Sequence, residues 1–498
     1  MKKNLLFILV LSVLIGFKAV AQITTLPLGD GEYKSVTSLT PLPISTNTAD
    51  KPQSKIWSHA GKFWTILANE EGTFLWKLDG TTWSKMLTVS AGALARVDCK
   101  VVGEVVHVLL YRGDNESYLY SLEYDAAASN YKLWSQRTAR AAFTLGQGGE
   151  TATLDIDNAG RMWIAYDTPG EMNVRWSDSP YSTWSDPIVV ASRIAEDDIC
   201  GIIALPTQNK IAVFWSNQRT ESFGMKTHIT GASPTTWSED ELPASQYAQH
   251  VGAGFADDHI NMAVASDGTL YCAVKTGYDT PGYDKLALLV RRPNGTWDSP
   301  YQVTELEGTR PIVLLNETIG RIRVVYTSHE SGGDILYKES AIGTISFGPA
   351  NTLLKGMYNY ASSTKANHGT ESVIIATDVS TTDWKAAGVL VTDPASVVTG
   401  NLDWNSGKNT HLTGLQAFPN PFSSTATLRF SLLQNSHYAA SLYDSRGVKI
   451  RPLGNGRATK GTEITLPIDG ASLSPGLYFI RLTTESGTVT TRMVHSIH

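Results

Sequence analysis

The chain has 498 residues, enough for more than one domain, with 42% hydrophobic but only 18% charged residues. Its 20 Tyr, 13 Trp and 42 Gly point to a β-rich exported protein and argue against a helical or disordered chain. A formal charge of −6 without any basic run excludes nucleic acid and anionic membrane surfaces as natural partners.

The first residues, "MKKNLLFILVLSVLIGFKAVAQ", combine Lys2 and Lys3 with an apolar stretch and an Ala19-Val20-Ala21 cleavage pattern. They predict a signal peptide over residues 1–21, and its removal would take the charge to −9. No later segment reaches the ~18 apolar residues of a membrane span. Cys99, Cys200 and Cys272 each sit in an apolar run. Their odd number and the lack of CxxC predict buried free thiols, with no disulfide framework or zinc site.

A repeat organises residues 22–392. Apolar segments follow Gly61, Gly103, Gly160, Asn209, Gly268, Gly320 and Gly369, at spacings of 42, 57, 49, 59, 52 and 49 residues. Gly and Asn tolerate the positive φ of a hairpin turn. Each segment has an apolar run before it and a third strand after it. An aromatic-bearing fourth strand then follows, around Trp83, Trp134, Trp184, Trp237, Trp297 and Phe347. Four short strands per ~50 residues, repeated, predict an all-β fold of seven propeller blades, within a range of six to eight. The aromatics would fill the wide end of each wedge. The seventh unit lacks such a strand, and residues 36–45 ("VTSLTPLPIS") are positioned to supply it and close the ring, which removes exposed edges.

The segments "ETATLDIDNAGRMWIAYD", "DDHINMAVASDGTLYCAVKT", "LLVRRPNGTW" and "ILYKESAIGTISF" resemble a family of secreted bacterial propellers of BNR/sialidase-like architecture. The resemblance spans about residues 50–380 and implies a fold and an exported setting more than a reaction. The "GTTW" and "NGTW" turns are degenerate relatives of the sialidase Asp-box, with Leu78 at the Asp position.

Residues 393–413 are polar, without period, and read as a linker. Residues 414–498 alternate in short strands and predict a small β-sandwich. Their "FPNPF", "YDSRGVKI", "LSPGLYFIRL" and "TRMV" motifs resemble the type A C-terminal sorting domain of type IX secretion. That implies a Gram-negative host, delivery to the cell surface or release, and the sorting machinery as a partner.

Candidate chemistry lies where the chain leads into the innermost strands, because these points converge at one mouth of a propeller. The repeat alignment brings together Arg96, Glu150, Asp197, Asp198, Asp257, Asp258, His259, Arg310 and Lys365. Glu150, Asp258 and His259 are the candidates for acid–base work, and the others for ligand binding. Tyr278 and Tyr283, on the longest facing loop, are candidates for stacking on a sugar ring. The expected role is glycan binding without a cofactor or metal. The alternatives are a polysaccharide lyase, with His259 as base beside a cation, or a glycoside hydrolase using paired carboxylates. A protein–protein adhesion scaffold is a further alternative.

Overall fold

The computed structural model describes residues 32–92, 96–394, 412–420, 422–444, 449–471, 473, 476–484 and 487–495. The expected signal peptide and most of the expected linker lie outside these residues. The chain divides into two compact units, residues 1–395 and 396–498.

The first unit is a seven-bladed β-propeller, a succession of antiparallel meanders each running from the axis outward. Blade 2 starts at Arg96–Val102, blade 3 at Ala152–Ile156, blade 4 at Cys200–Leu205, blade 5 at Ile260–Val264 and blade 6 at Thr309–Asn316. Neighbouring innermost strands lie side by side around the axis. The hairpin turns after them have φ between 52° and 92° at Gly61, Gly103, Gly160, Asn209, Gly268 and Gly320. Gly369 does not share this conformation.

The innermost strands do not pair by a regular backbone ladder; polar side chains placed among their apolar residues join them instead. Asp98 accepts the backbone N–H groups of Ser54 (2.8 Å) and Leu154 (2.8 Å), which lie on the two flanking blades. Asp155 accepts from Ala204 (2.9 Å), Thr153 from Ile202 (3.0 Å), and Asn261 from Val313 (3.0 Å). A buried backbone donor without a partner is costly, which accounts for a carboxylate inside "VDCKVV". The three cysteines are buried and unpaired.

Blades 6 and 7 share one strand. Asn351–Ser362 pairs with Gly333–Ala341 through its first part and with Glu371–Asp378 through its last. Ser35–Ser38 and Leu42–Pro43 then pair with Lys385–Thr392, so the N-terminal segment closes the ring. A second tie joins the same two ends. Arg323, fully buried, contacts Glu339 (2.5 Å) and Asp393 (2.5 Å) and lies 3.9 Å from the centre of the Tyr33 ring. Asp393 therefore belongs to the propeller, not to the linker that its composition suggests.

The repeated aromatics differ from expectation in one respect. Trp83 lies within a strand, whereas Trp134, Trp184, Trp237, Trp297 and Phe347 lie in the turns beside the outer strands. From there several reach the preceding blade: Trp184 packs on Phe143 (4.8 Å), Trp237 on Trp163 (5.7 Å) and Trp297 on Phe214 (6.3 Å).

The second unit is a small β-sandwich. A sheet of Leu412–Phe418, Thr425–Leu432 and Glu463–Asp469 faces one of Lys449–Ala458, Ser436–Asp444, Gly476–Thr484 and Gly487–His495. Strict alternation along Thr425–Leu432 turns Leu428, Phe430 and Leu432 into a core with Leu442, Ile480 and Leu482. Among the described residues, no helix is long and apolar enough to cross a membrane.

Replacing Arg323 by Met would leave Asp393 and Glu339 without their buried cation. The expected loss is on the order of 3–5 kcal/mol, read from the urea unfolding of the whole chain.

Candidate functional site

The lead-in segments converge at one end of the propeller axis, and their charges are interlocked. At the centre stands Lys51, in the lead-in of blade 1, with a left-handed backbone (φ 53°). Its ammonium contacts both Glu150 and Asp258, which come from blades 3 and 5, and its side chain is 8% exposed. Burial alone would lower the Lys51 pKa, but the two carboxylates outweigh it and hold the ammonium charged. Arg96 contacts Asp50 (2.8 Å) and donates to the Glu150 carbonyl. Arg310, also left-handed (φ 49°), contacts Glu330 (3.2 Å), and Lys275 bridges Glu330 (2.7 Å) and Asp257 (3.3 Å).

Glu150, Asp197 and Asp258 each bring one carboxylate oxygen to within 4.8 Å of the others. Asp197 is exposed and hydrogen-bonded to Glu150. Desolvation, the Asp258 charge and that hydrogen bond together raise its pKa. Glu150 is held from behind: Asp167 accepts the backbone N–H groups of Glu150 (2.6 Å) and Thr151 (3.0 Å). Burial pushes the Asp167 carboxyl up to about 6 despite those bonds.

Five of the residues expected at the mouth do something else. His259 is buried, with Nδ1 3.0 Å from Asp257 and 2.6 Å from Asp258, while Nε2 is enclosed without a partner. Burial lowers its pKa, but hydrogen bonds to the two aspartates outweigh that and raise it. The ring is thus held between two carboxylates through Nδ1 and is buried, whereas the sequence pattern points to a catalytic base at the mouth. Asp198 turns away to accept the N–H groups of Gln218 (2.8 Å) and Ala195 (3.2 Å), a turn-capping role. Lys365 lies inside the channel, bonded to Asp98 and to the Leu154 carbonyl (3.1 Å). Tyr278 is buried against Phe255 and accepts the Gln249 N–H (2.8 Å). Tyr283 packs on it at 5.3 Å, so the loop tyrosines fold the loop on itself.

Repeat alignment missed Asp50 and Lys51 because it counted lead-ins only from the second blade; "TADKPQSK" stands before the first apolar segment in the same way. Lys275 and Glu330 come from the outward side of the mouth, at the end of a second strand and in a facing loop. Their loops were legible, but their role as counter-charges was not.

Residues 416–496 match the family model described as the secretion system C-terminal sorting domain. The protein is therefore exported through the type IX route, to the cell surface or beyond it. At the sequence level no curated protein matches this chain. Among solved structures, polysaccharide lyase Uly1 aligns over 72% of this chain and 99% of its own, with 7% identity and a TM-score of 0.44. An ulvan lyase bound to -[GlcA(1-4)Rha3S]- aligns over 72% and 95%, with 9% identity and a TM-score of 0.47. The α-L-arabinanase of Penicillium chrysogenum, complexed with arabinobiose, aligns over 62% and 99%, with 10% identity and a TM-score of 0.39.

Two outcomes follow from the charge network. With Lys51→Met, Glu150 and Asp258 face each other without a cation. Stability at pH 8 should fall on the order of 3 kcal/mol and recover partly toward pH 5, as one carboxyl takes a proton; urea midpoints across that range report it. Asp167 keeps its proton to about pH 6 when folded but releases it near pH ~4 when unfolded. Its contribution is present below the lower value and lost as the pH rises through the higher one. The stability of Asp167→Asn relative to the parent should therefore rise by roughly 2–3 kcal/mol between pH 4 and 7.

Proposed function

We propose that the chain is an exported glycan-binding protein whose propeller mouth takes neutral or amino sugars. The observation that carries this reading is the meeting of Glu150, Asp197 and Asp258, from three blades, around a lysine that is already neutralised. A carboxylate accepts two hydroxyl hydrogen bonds side by side, a match for adjacent hydroxyls on a sugar. Lys51 and Arg96 hold Glu150 and Asp258 in place, so little is lost in ordering them on binding.

The same pairing weighs against an acidic sugar. Arg96, Lys51, Lys275 and Arg310 each already contact a carboxylate, and the side chains with the most solvent access include Glu330 and Asp197. A uronate would have to break an internal ion pair to find a cation. The lyase chemistry expected of His259 needs a basic nitrogen within reach of substrate, and the ring is buried with Nδ1 held by Asp257 and Asp258.

A second reading, glycoside hydrolysis, is favoured by one observation. Asp197 is an exposed carboxyl with a raised pKa among other carboxylates, the property of a general acid that could act with a second carboxylate of the cluster.

An array of neutral, amino and uronic oligosaccharides probed with the full chain tests the reading. Binding confined to neutral or amino sugars, weakened at least about tenfold in Asp197→Asn and Glu150→Gln, is the expected result. Preference for uronates would sink it. Bond cleavage by the parent, lost in Asp197→Asn with binding retained, would establish the hydrolase reading instead.

A further inference from the structure

Blade 4 differs from its neighbours at the outer edge. Blades 3 and 5 carry fourth strands at Ile188–Ser192 and Tyr301–Thr304, but blade 4 ends in a single bridge, Met225 to Glu241. The chain then departs into the segment leading to blade 5. Above that bridge, between the edge of Ser222–Ile229 and Ile188–Ser192 of blade 3, lies a groove of about 820 Å³. That size is typical of pockets that enclose an organic ligand.

Two of the segments that line the groove run on to acids of the mouth. Ser192, Arg193 and Ile194 line it, and Asp197 of the mouth follows three residues later, at most about 10 Å of chain. Asn217, Thr220 and Glu221 line it as well, while Gln218 between them is bonded to Asp198 (2.8 Å). His250, opposite, contacts Glu221 (2.6 Å), and its segment runs on to Asp257 and Asp258. Antiparallel strand order puts all these segments on the mouth face, because the blades' second strands end there and their outer strands return there.

The lining has the mixed character that suits a polyhydroxylated chain. Val189 and Leu242 are exposed apolar side chains, 50% and 56% accessible, able to cover the C–H faces of sugars. Arg193 is exposed and, among the described residues, has no hydrogen-bond or ion-pair partner, which leaves its guanidinium free to donate. This contrasts with the cations of the mouth, each of which is neutralised.

We propose that this groove is the outlet of the mouth. It holds the continuing part of a glycan whose first unit is seated at Glu150, Asp197 and Asp258, so the ligand is a linear oligosaccharide or polysaccharide and not a single sugar. The proposal rests on the glycan reading of the mouth and adds the chain length and the direction in which the chain leaves.

Calorimetric titration of the full protein with manno-, xylo- and arabino-oligosaccharides of two to six units tests it. In the parent, affinity should climb by about tenfold or more from the shortest to the longest member of the bound series. Val189→Trp and Leu242→Trp fill the groove from exposed positions, and unchanged thermal unfolding confirms that the fold survives. In both variants the gain with length should vanish, while affinity for the disaccharide stays at the parent value. Length-independent binding by the parent, or a gain with length that persists in both variants, overturns the outlet and leaves the mouth reading intact. Failure of every series to bind at any length overturns the mouth reading, and the outlet with it.

Discussion

Seven strands meeting at one axis face a shortage of backbone partners. They fan apart, so they cannot form a regular ladder with one another, and the channel between them is too narrow to hydrate every N–H group. The chain resolves this by setting a short polar side chain in the middle of an apolar strand and letting it accept from the next blade. Asp98 serves two blades at once and is itself neutralised by Lys365. Asp155, Thr153 and Asn261 repeat the device. These bonds fix the rotation of each blade, and that rotation decides where each lead-in segment arrives. A Cβ-length error at the axis would become a larger displacement at the rim.

The mouth follows from the same geometry. Each lead-in must turn from the outer strand of one blade to the axis of the next, and turns favour short polar residues. Convergence then crowds carboxylates that would repel one another. The molecule answers with built-in cations, of which Lys51 is the central one, and with the Nδ1 of His259 set between two aspartates. The result is a surface whose positive charges are spent internally and whose remaining solvent-facing groups are mostly acceptors. A site of that kind discriminates by hydroxyl pattern more than by net charge.

Much of this architecture was legible in the sequence, because a four-strand repeat imposes a period that survives great divergence. The Gly and Asn turns, the closing N-terminal strand and the sorting sandwich all rest on local signals, such as a turn residue, an alternation or a motif order. The site was legible only by position. That Glu150, Asp197 and Asp258 share a neighbourhood follows from aligning the repeats. That Asp198 does not, although it is adjacent to Asp197, depends on which way a single turn points its side chain. His259 looked like a base because a histidine beside two aspartates suggests one; its burial between them was not legible along the chain. Lys51 was missed because lead-ins were aligned only from the second blade; its role as a counter-charge carries no motif, only proximity across blades.

Closure by the N-terminal strand has a temporal consequence. Ser35–Ser38 pairs with Lys385–Thr392, so the ring is completed by residues that are among the first and the last of the propeller to be made. Lys51 follows that closing strand by little more than a dozen residues and reaches the mouth as part of the same N-terminal run. A chain truncated before its seventh blade keeps Lys51, Glu150 and Asp258 but lacks Lys385–Thr392, the strand that holds the N-terminal segment. The charges of the mouth, contributed by blades 1, 3 and 5, then rest on the bonds between neighbouring blades alone, and only closure of the ring fixes their spacing.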